Sequence, residues 1–488
     1  MFKKLLNKLL FMFIVFNLNA MNIEQERYLD TTFGNNGKVI TDFGISSGTF
    51  NRIIPAIHVK IQKDGKILVI CDVYQDYNNK NPRSKVALIR YNQNGSLDSN
   101  FGDSGKVILS FNSMPEGNSY GMDFVIQNDD KIVILGRSFK NFLEGSGALV
   151  RLNADGSIDK TFGIDGFVEV KPDENHWCNF FRIILQEDGK FIMIGNQGKD
   201  RLTKDKVELE YCSLFMARYN NDGTPDYSFG NEGKLKTIFP SKYERKPADG
   251  AYSLAAQSNG KIVAVGSYED AEDVSYSSLD SSDALQDETL FLNLHTTKSS
   301  SGAIVRYKIS GELDSTFGID KNGIVIVDRS KFNRNSFVDL IVQPDDKIVA
   351  VGFHKNLSTE YSEFMLIRYT ENGLIDESFG DKGIILSPLG SKDAILTHAI
   401  LQEDGKILVT GKVTWDNKSK FTLVRYTKEG LIDKTFGENG ILTTSIRENF
   451  DDKSFSIAIQ EDGKVVLAGE SFTTSHSDFA LVRYNKFE

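Results

Sequence analysis

Three short polar strings recur seven times along the chain in one fixed order, and no other feature limits the possible folds so severely. Asp-x-x-Phe-Gly begins at Asp30, Asp98, Asp159, Asp226, Asp314, Asp376 and Asp433. A string of the form Gln-x-(Asp/Asn)-(Gly/Asp)-Lys begins at Gln62, Gln127, Gln186, Gln257, Gln343, Gln402 and Gln460. Arg-Tyr stands at Arg90, Arg218, Arg306, Arg368, Arg425 and Arg483, with Leu152 in place of Tyr after Arg151. Such repetition marks a supersecondary unit that buries its apolar surface only by stacking on its neighbours.

Short apolar runs separate the strings: Ile57 to Ile61, Ile67 to Ile70, Val86 to Ile89 and Val107 to Phe111 in the first full unit. Each is strand-length, rich in β-branched residues and bounded by Gly, Asn or Asp. Asp64-Gly65 and Asn94-Gly95 supply the positive φ of tight hairpins. A unit is therefore four antiparallel strands: a ends in the Gln, b follows the Lys, c ends in Arg-Tyr and d follows Phe-Gly-x-x-Gly. Strands apolar on both faces must be sandwiched, as in a β-propeller. The chain starts with a lone strand d, Lys38 to Phe43, and finishes with a, b and c over Phe455 to Tyr484. The fold expected is all-β: a seven-bladed β-propeller of four-stranded antiparallel blades, its ring closed by the N-terminal strand joining the last blade.

These residues carry a resemblance. Leu29 to Val39 (LDTTFGNNGKV), Gln402 to Lys406 (QEDGK) and Ala480 to Asn485 (ALVRYN) closely resemble the delta-60 repeat, a bacterial propeller repeat of unknown function. The resemblance runs over Leu29 to Asn485 and implies a propeller in exported or surface-associated proteins; it brings no catalytic residues. The chain departs from the pattern at Cys71, where other units have Gly, and at Lys321-Asn322, which lengthen one Phe-Gly-x-x-Gly link.

Lys3, Lys4 and Lys8, the apolar run Leu9 to Phe16 and then Asn17 to Ala20 have the plan of a secretory signal peptide cut after Ala20. That run falls short of the roughly 20 apolar residues a membrane span needs. The reading divides the chain into a signal peptide (1–20), a short lead (21–28) and one propeller (29–488) with a long acidic insertion (267–301), in a secreted, periplasmic or cell-surface protein without a transmembrane segment. A formal net charge of -10 argues against a nucleic-acid surface.

Arg and Asp lie eight residues apart in six units, from Arg90 with Asp98 to Arg425 with Asp433, which predicts a bidentate, directional ion pair around each turn. Arg483 has no such Asp, and ring closure assigns it Asp30. Groups used identically in every blade are read as part of the fold. The Asn153 to Asp159 link has the look of a calcium loop, but its counterparts lack the carboxylates, so a hairpin explains them all. The residue four before each Gln is polar in every blade and varied: His58, Asp123, Arg182, Ser253, Asp339, His398 and Ser456. With strand a innermost these seven ring the channel mouth. Two readings stay open: hydrogen bonding among blades or to water, and a site for a small ligand or ion. His58 with Asp123, and Asp339 with His398, keep an acid-base reading alive. The sequence implies no catalytic motif, cofactor or metal centre.

The a–b and c–d links keep nearly one length, whereas b–c and d–a links vary and share the other face. That face is expected to carry Trp177, Trp415, Tyr74, Tyr77, Tyr211, Tyr268, Tyr361 and the acidic insertion. Two functions compete: an exported binding propeller that holds a protein or glycan on its variable face, and an extracellular polymer-acting enzyme with its site at the channel mouth. Cys178 and Cys212 are a possible disulfide, leaving Cys71 free.

Overall fold

A computed structural model describes residues 26–43, 52–75, 83–111, 118–139, 145–173, 176–202, 207–239, 250–269, 300–328, 332, 334–356, 359, 361–389, 391, 394–415, 418–474 and 476–487. The signal peptide, most of the lead and nearly all of the acidic insertion lie outside the described residues.

Seven four-stranded antiparallel sheets make up the fold. In blade 1 the strands are Arg52–Ile61 (a), Ile67–Gln75 (b), Arg83–Tyr91 (c) and Lys106–Leu109 (d). The first strands of blades 2 to 7 are Asn118–Ile126, Trp177–Leu185, Gly250–Ala256, Asn335–Val342, Ala394–Leu401 and Asp452–Ile459. Each touches the first strand of the next blade, and that of blade 7 touches that of blade 1, so strand a is innermost and the ring is closed. Closure also runs through the chain ends, as the sequence requires: Lys38–Thr41 pairs antiparallel with Ser477–Tyr484, Lys38 opposite Val482 and Thr41 opposite Phe479.

Apolar clusters fill the gaps between blades. Val59, Ile67, Val69 and Ile89 of blade 1 pack with Val466, Ala468 and Leu481 of blade 7. The Phe of every Asp-x-x-Phe-Gly is buried, from Phe33 to Phe436, each contributing about 1.5–3 kcal/mol. The Tyr of Arg-Tyr is a second link: Tyr91, Tyr307, Tyr426 and Tyr484 hydrogen-bond Thr41, Thr237, Ser387 and Thr444, the last residue of strand d in the preceding blade. Where Leu152 replaces Tyr, the corresponding residue is Leu109, and both lie in one apolar cluster.

A β-bulge interrupts strand a in all seven blades, as between Gly121 and Asp123 or between Phe180 and Arg182. Opposite most bulges stands a Gly inside strand b; a Cβ on Gly352 would lie 1.9 Å from the Ser336 carbonyl oxygen. Blade 1 has Cys71 there, and its slip is wider, with Ile54 opposite Asp72 and then His58 opposite Ile70. The extra chain accommodates the side chain that the other blades exclude. The inserted Lys321-Asn322 is absorbed by a turn with Lys321 at φ 50°, and strand d shrinks to Ile324–Ile326.

Candidate functional site

Two polar systems stand out, one at the turn face and one inside the channel. On the turn face the Arg–Asp pairs form in all seven blades: Arg Nε lies 2.7–2.9 Å from the Asp Oδ2. The seventh is the predicted pair of the chain ends, Arg483 with Asp30. The expected directional contact takes a different form from a two-oxygen fork, because the other carboxylate oxygen is occupied. Asp Oδ1 accepts the N–H of the residue two further on, from Thr32 to Thr435, and so holds the turn.

The Lys of the Gln string is the member that sequence reasoning missed. Lys66, Lys131, Lys190, Lys261, Lys347, Lys406 and Lys464 lie 2.8–3.4 Å from the same Asp Oδ2 atoms. Each guanidinium also covers the Phe ring three residues after its Asp, 4.3–4.7 Å from the centroid. Arg NH1 donates to a carbonyl of the next blade, Arg218 to Ile309 at 2.7 Å and Arg368 to Lys428 at 2.9 Å. Burial pushes Asp30 up, but the Thr32 hydroxyl and N–H, then Arg483 and Lys464, outweigh it and hold the carboxyl at about 2. The three strings are thus one node that ties hairpin, turn and neighbouring blade. The Asn153 to Asp159 link is a capped hairpin, with Asp155 Oδ1 accepting the Ser157 N–H and hydroxyl.

In the channel, each of the seven candidate residues directly follows the bulge in its strand. The bulge re-aims the side chain. They stand at mid-strand, Asp123 sixth of nine residues and Asp339 fifth of eight, so they lie within the channel and not at its rim as expected. Arg182 of blade 3 crosses it, donating to His58 Nδ1 of blade 1 at 2.8 Å and to Asp339 Oδ1 of blade 5 at 3.0 Å. Ser253 donates to Asp339 Oδ1 at 2.7 Å, and Asp339 Oδ2 accepts the Ala399 N–H at 3.0 Å. His398 Nδ1 lies 3.0 Å from Ser456 Oγ, and its Nε2 lies 3.6 Å from Asp339 Oδ2. Asp123 is paired with Lys60 at 3.0 Å, a residue the sequence reading passed over, and accepts the Ile183 N–H. Burial pushes Asp123 up, but the cations Lys60 and Arg182 outweigh it and keep the carboxyl ionised.

Of the two acid-base pairs expected, Asp339 and His398 approach each other, while His58 meets Arg182. Within the cluster His58, Asp123, Asp339 and His398 are each engaged by other members or by backbone N–H groups. Among the described residues no group of three or more His, Cys, Asp or Glu side chains is placed to hold a metal ion.

The two Trp residues belong to strand ends and not to the links: Trp177 opens strand a of blade 3, opposite Gly198, and Trp415 ends strand b of blade 6, opposite Lys418. Both are half-buried. Tyr74 and Tyr268 are buried strand residues, which removes them as surface anchors, whereas Tyr361 is 38% exposed. Tyr77 and the Tyr211 side chain lie outside the described residues. No disulfide joins Cys71, Cys178 or Cys212, all three of them buried. Strand b separates Cys178, opposite Gln197, from Cys212, opposite Gly198. The Cys178 sulfur is engaged with blade 2, donating to the Val170 carbonyl and accepting the Gly147 N–H.

Residues 62–101, 127–162, 213–229, 402–436 and 460–486 match the profile described as a domain of unknown function (DUF5122) beta-propeller. Those five segments of the chain are similar to this repeat. This agrees with the delta-60 resemblance. No curated protein matches the chain. Among solved structures it is similar to Trypanosoma rangeli sialidase in complex with sialic acid, at 11% identity and a TM-score of 0.39 over 88% of this chain and 54% of that one. A polysaccharide lyase, ulvan lyase, matches at 12% identity and a TM-score of 0.48 over 88% of this chain and 91% of that one. Pyrococcus horikoshii acylaminoacyl peptidase matches at 12% identity and a TM-score of 0.41 over 92% and 54%. The chain spans about half the length of the sialidase. Such distant likenesses carry no argument about activity. Among the described residues no helix is long and apolar enough to cross a membrane.

Proposed function

We propose that the protein is an exported binding propeller that holds a protein or glycan on the face formed by its b–c and d–a links. One observation carries this reading: the opposite face is occupied by the same Lys–Arg–Asp–Phe node seven times, so individuality among blades is concentrated on the linking face. Rigid aromatics on a firm scaffold are the usual affinity anchors, and Trp177 and Trp415 stand at the roots of that face. The enzyme reading gains nothing from a channel whose carboxylates are already paired with Lys60 and Arg182.

The test is to screen the purified protein against a glycan array and against solubilised cell-surface proteins, then to measure the ligand found on three variants. Trp177→Ala and Trp415→Ala are expected to weaken binding by about 2 kcal/mol, roughly thirtyfold. Lys428→Ala, on the turn face and 70% exposed in its side chain, is expected to leave binding unchanged. Undiminished binding by both Trp variants with loss in Lys428→Ala overturns the assignment.

A further inference from the structure

The channel cluster has a property that follows from hydrogen-bond roles. A guanidinium only donates, so the His58 Nδ1 that meets Arg182 NH1 at 2.8 Å must be an unprotonated acceptor. A backbone N–H only donates, so His398 Nδ1, which takes the Ile457 N–H at 3.2 Å, must be unprotonated too. These two bonds, with the Ser456 hydroxyl that meets His398 Nδ1 and accepts the Val59 N–H, link blades 1, 3, 6 and 7. Arg182 adds blade 5 through Asp339.

We propose that this cluster is an acid-sensitive clasp, which holds the blades across the channel while His58 and His398 are neutral and releases them when both take up protons. Protonation turns each Nδ1 from an acceptor into a donor facing a donor. It also places positive charge beside Arg182 and Lys60. The two imidazoles lie 5.9 Å apart, so their charges repel each other as well. The acids facing them are Asp123 from blade 2 and Asp339 from blade 5, each already committed to a cation, Lys60 and Arg182 respectively. Burial first, then Arg182, hold His58 well below its ordinary value; burial outweighs Asp339 and holds His398 at about 4.

The sign follows from linkage. In the unfolded chain both imidazoles titrate near 6.5, so the unfolded state binds more protons as pH falls below that value, and stability is lost between about 6.5 and about 4. The staple carboxyls of Asp30, Asp226, Asp376 and Asp433, held at about 2, stay ionised through that window. Asp72 and Asp452 are pushed up by burial and act in the opposite sense. A comparison with variants that leave both in place isolates the clasp.

The experiment is urea unfolding of wild type and of the His58→Asn, His398→Asn double variant at about pH 7 and about pH 4.5. Asn offers an acceptor oxygen near the Nδ1 position and does not titrate. Wild type is expected to lose about fiftyfold or more in its folded-to-unfolded ratio beyond the loss in the variant. Equal losses overturn the proposal. If the double variant does not fold, the imidazole resonances of wild type decide: midpoints below about 6 for both residues support the clasp, and a midpoint at or above about 6 for either overturns it.

Discussion

The turn-face node and the channel cluster are both buried, charged and hydrogen-bonded, yet one occurs seven times in the same residue types and the other occurs once, assembled from seven different positions. In the node every contact is made within a blade or to the next one, so whatever satisfies one blade satisfies all. In the channel adjacent blades are paired too, but Arg182 also joins the non-adjacent blades 1, 3 and 5. A single Arg suffices there, held between His58 and Asp339. Repetition in a propeller therefore marks what the ring needs to close. A polar position that varies from blade to blade marks an arrangement belonging to the whole molecule.

That contrast is open to attack through stability. The largest effect is expected from Arg306→Ala, since the Arg306 side chain is 1% exposed and is tied to Asp314 at 2.8 Å. Removing it strands a buried carboxylate and is expected to cost about 3–5 kcal/mol in urea unfolding. A loss under about 1 kcal/mol would show that the node is not a staple. Next is Gly352→Ala, which drives a Cβ toward the Ser336 carbonyl at the bulge and is expected to cost about 1–3 kcal/mol. Lys261→Ala sharpens the ranking within one node: its side chain is 30% exposed while it contacts the same Asp314. Its removal is expected to cost only about 0.2–1 kcal/mol.

The strands, the hairpins and the Arg–Asp pairs were legible because each is written in local spacing: eight residues around a turn, an Asp-Gly between two apolar runs. Closure was legible because the two incomplete ends of the chain add to one blade. Lys66 and its six counterparts escaped because a Lys beside a hairpin reads as solvated surface, and only the fold brings it over an Asp from two strands away. The bulge left a trace in the Gly within strand b, and Cys71 was the one departure from it, but a slip of one residue has no further signature. The channel was legible as seven polar positions; that Arg182 spans it is a contact between chain segments more than a hundred residues apart, which no spacing encodes. Trp177 and Trp415 were placed one step too far into the links because the strands extend further than their apolar runs.

The smallest effect concerns the thiols. With strand b between Cys178 and Cys212, three thiols are expected to react in the denatured, unreduced protein, and reductant is expected to leave the unfolding temperature unchanged. Two fewer reactive thiols would mean that the two strands move together.

Closure of the ring by both chain ends is the claim on which the repeated node and the channel alike depend. Arg483 takes its Asp from position 30, Phe33 is fully buried, and Lys38–Thr41 covers the edge of the last blade. Thermal unfolding of a chain lacking residues 21–43, measured against the chain that keeps them, tests it most directly. A markedly lower unfolding temperature is expected, since Arg483 is left buried without its carboxylate and a strand edge is laid open. An unchanged unfolding temperature would contradict it.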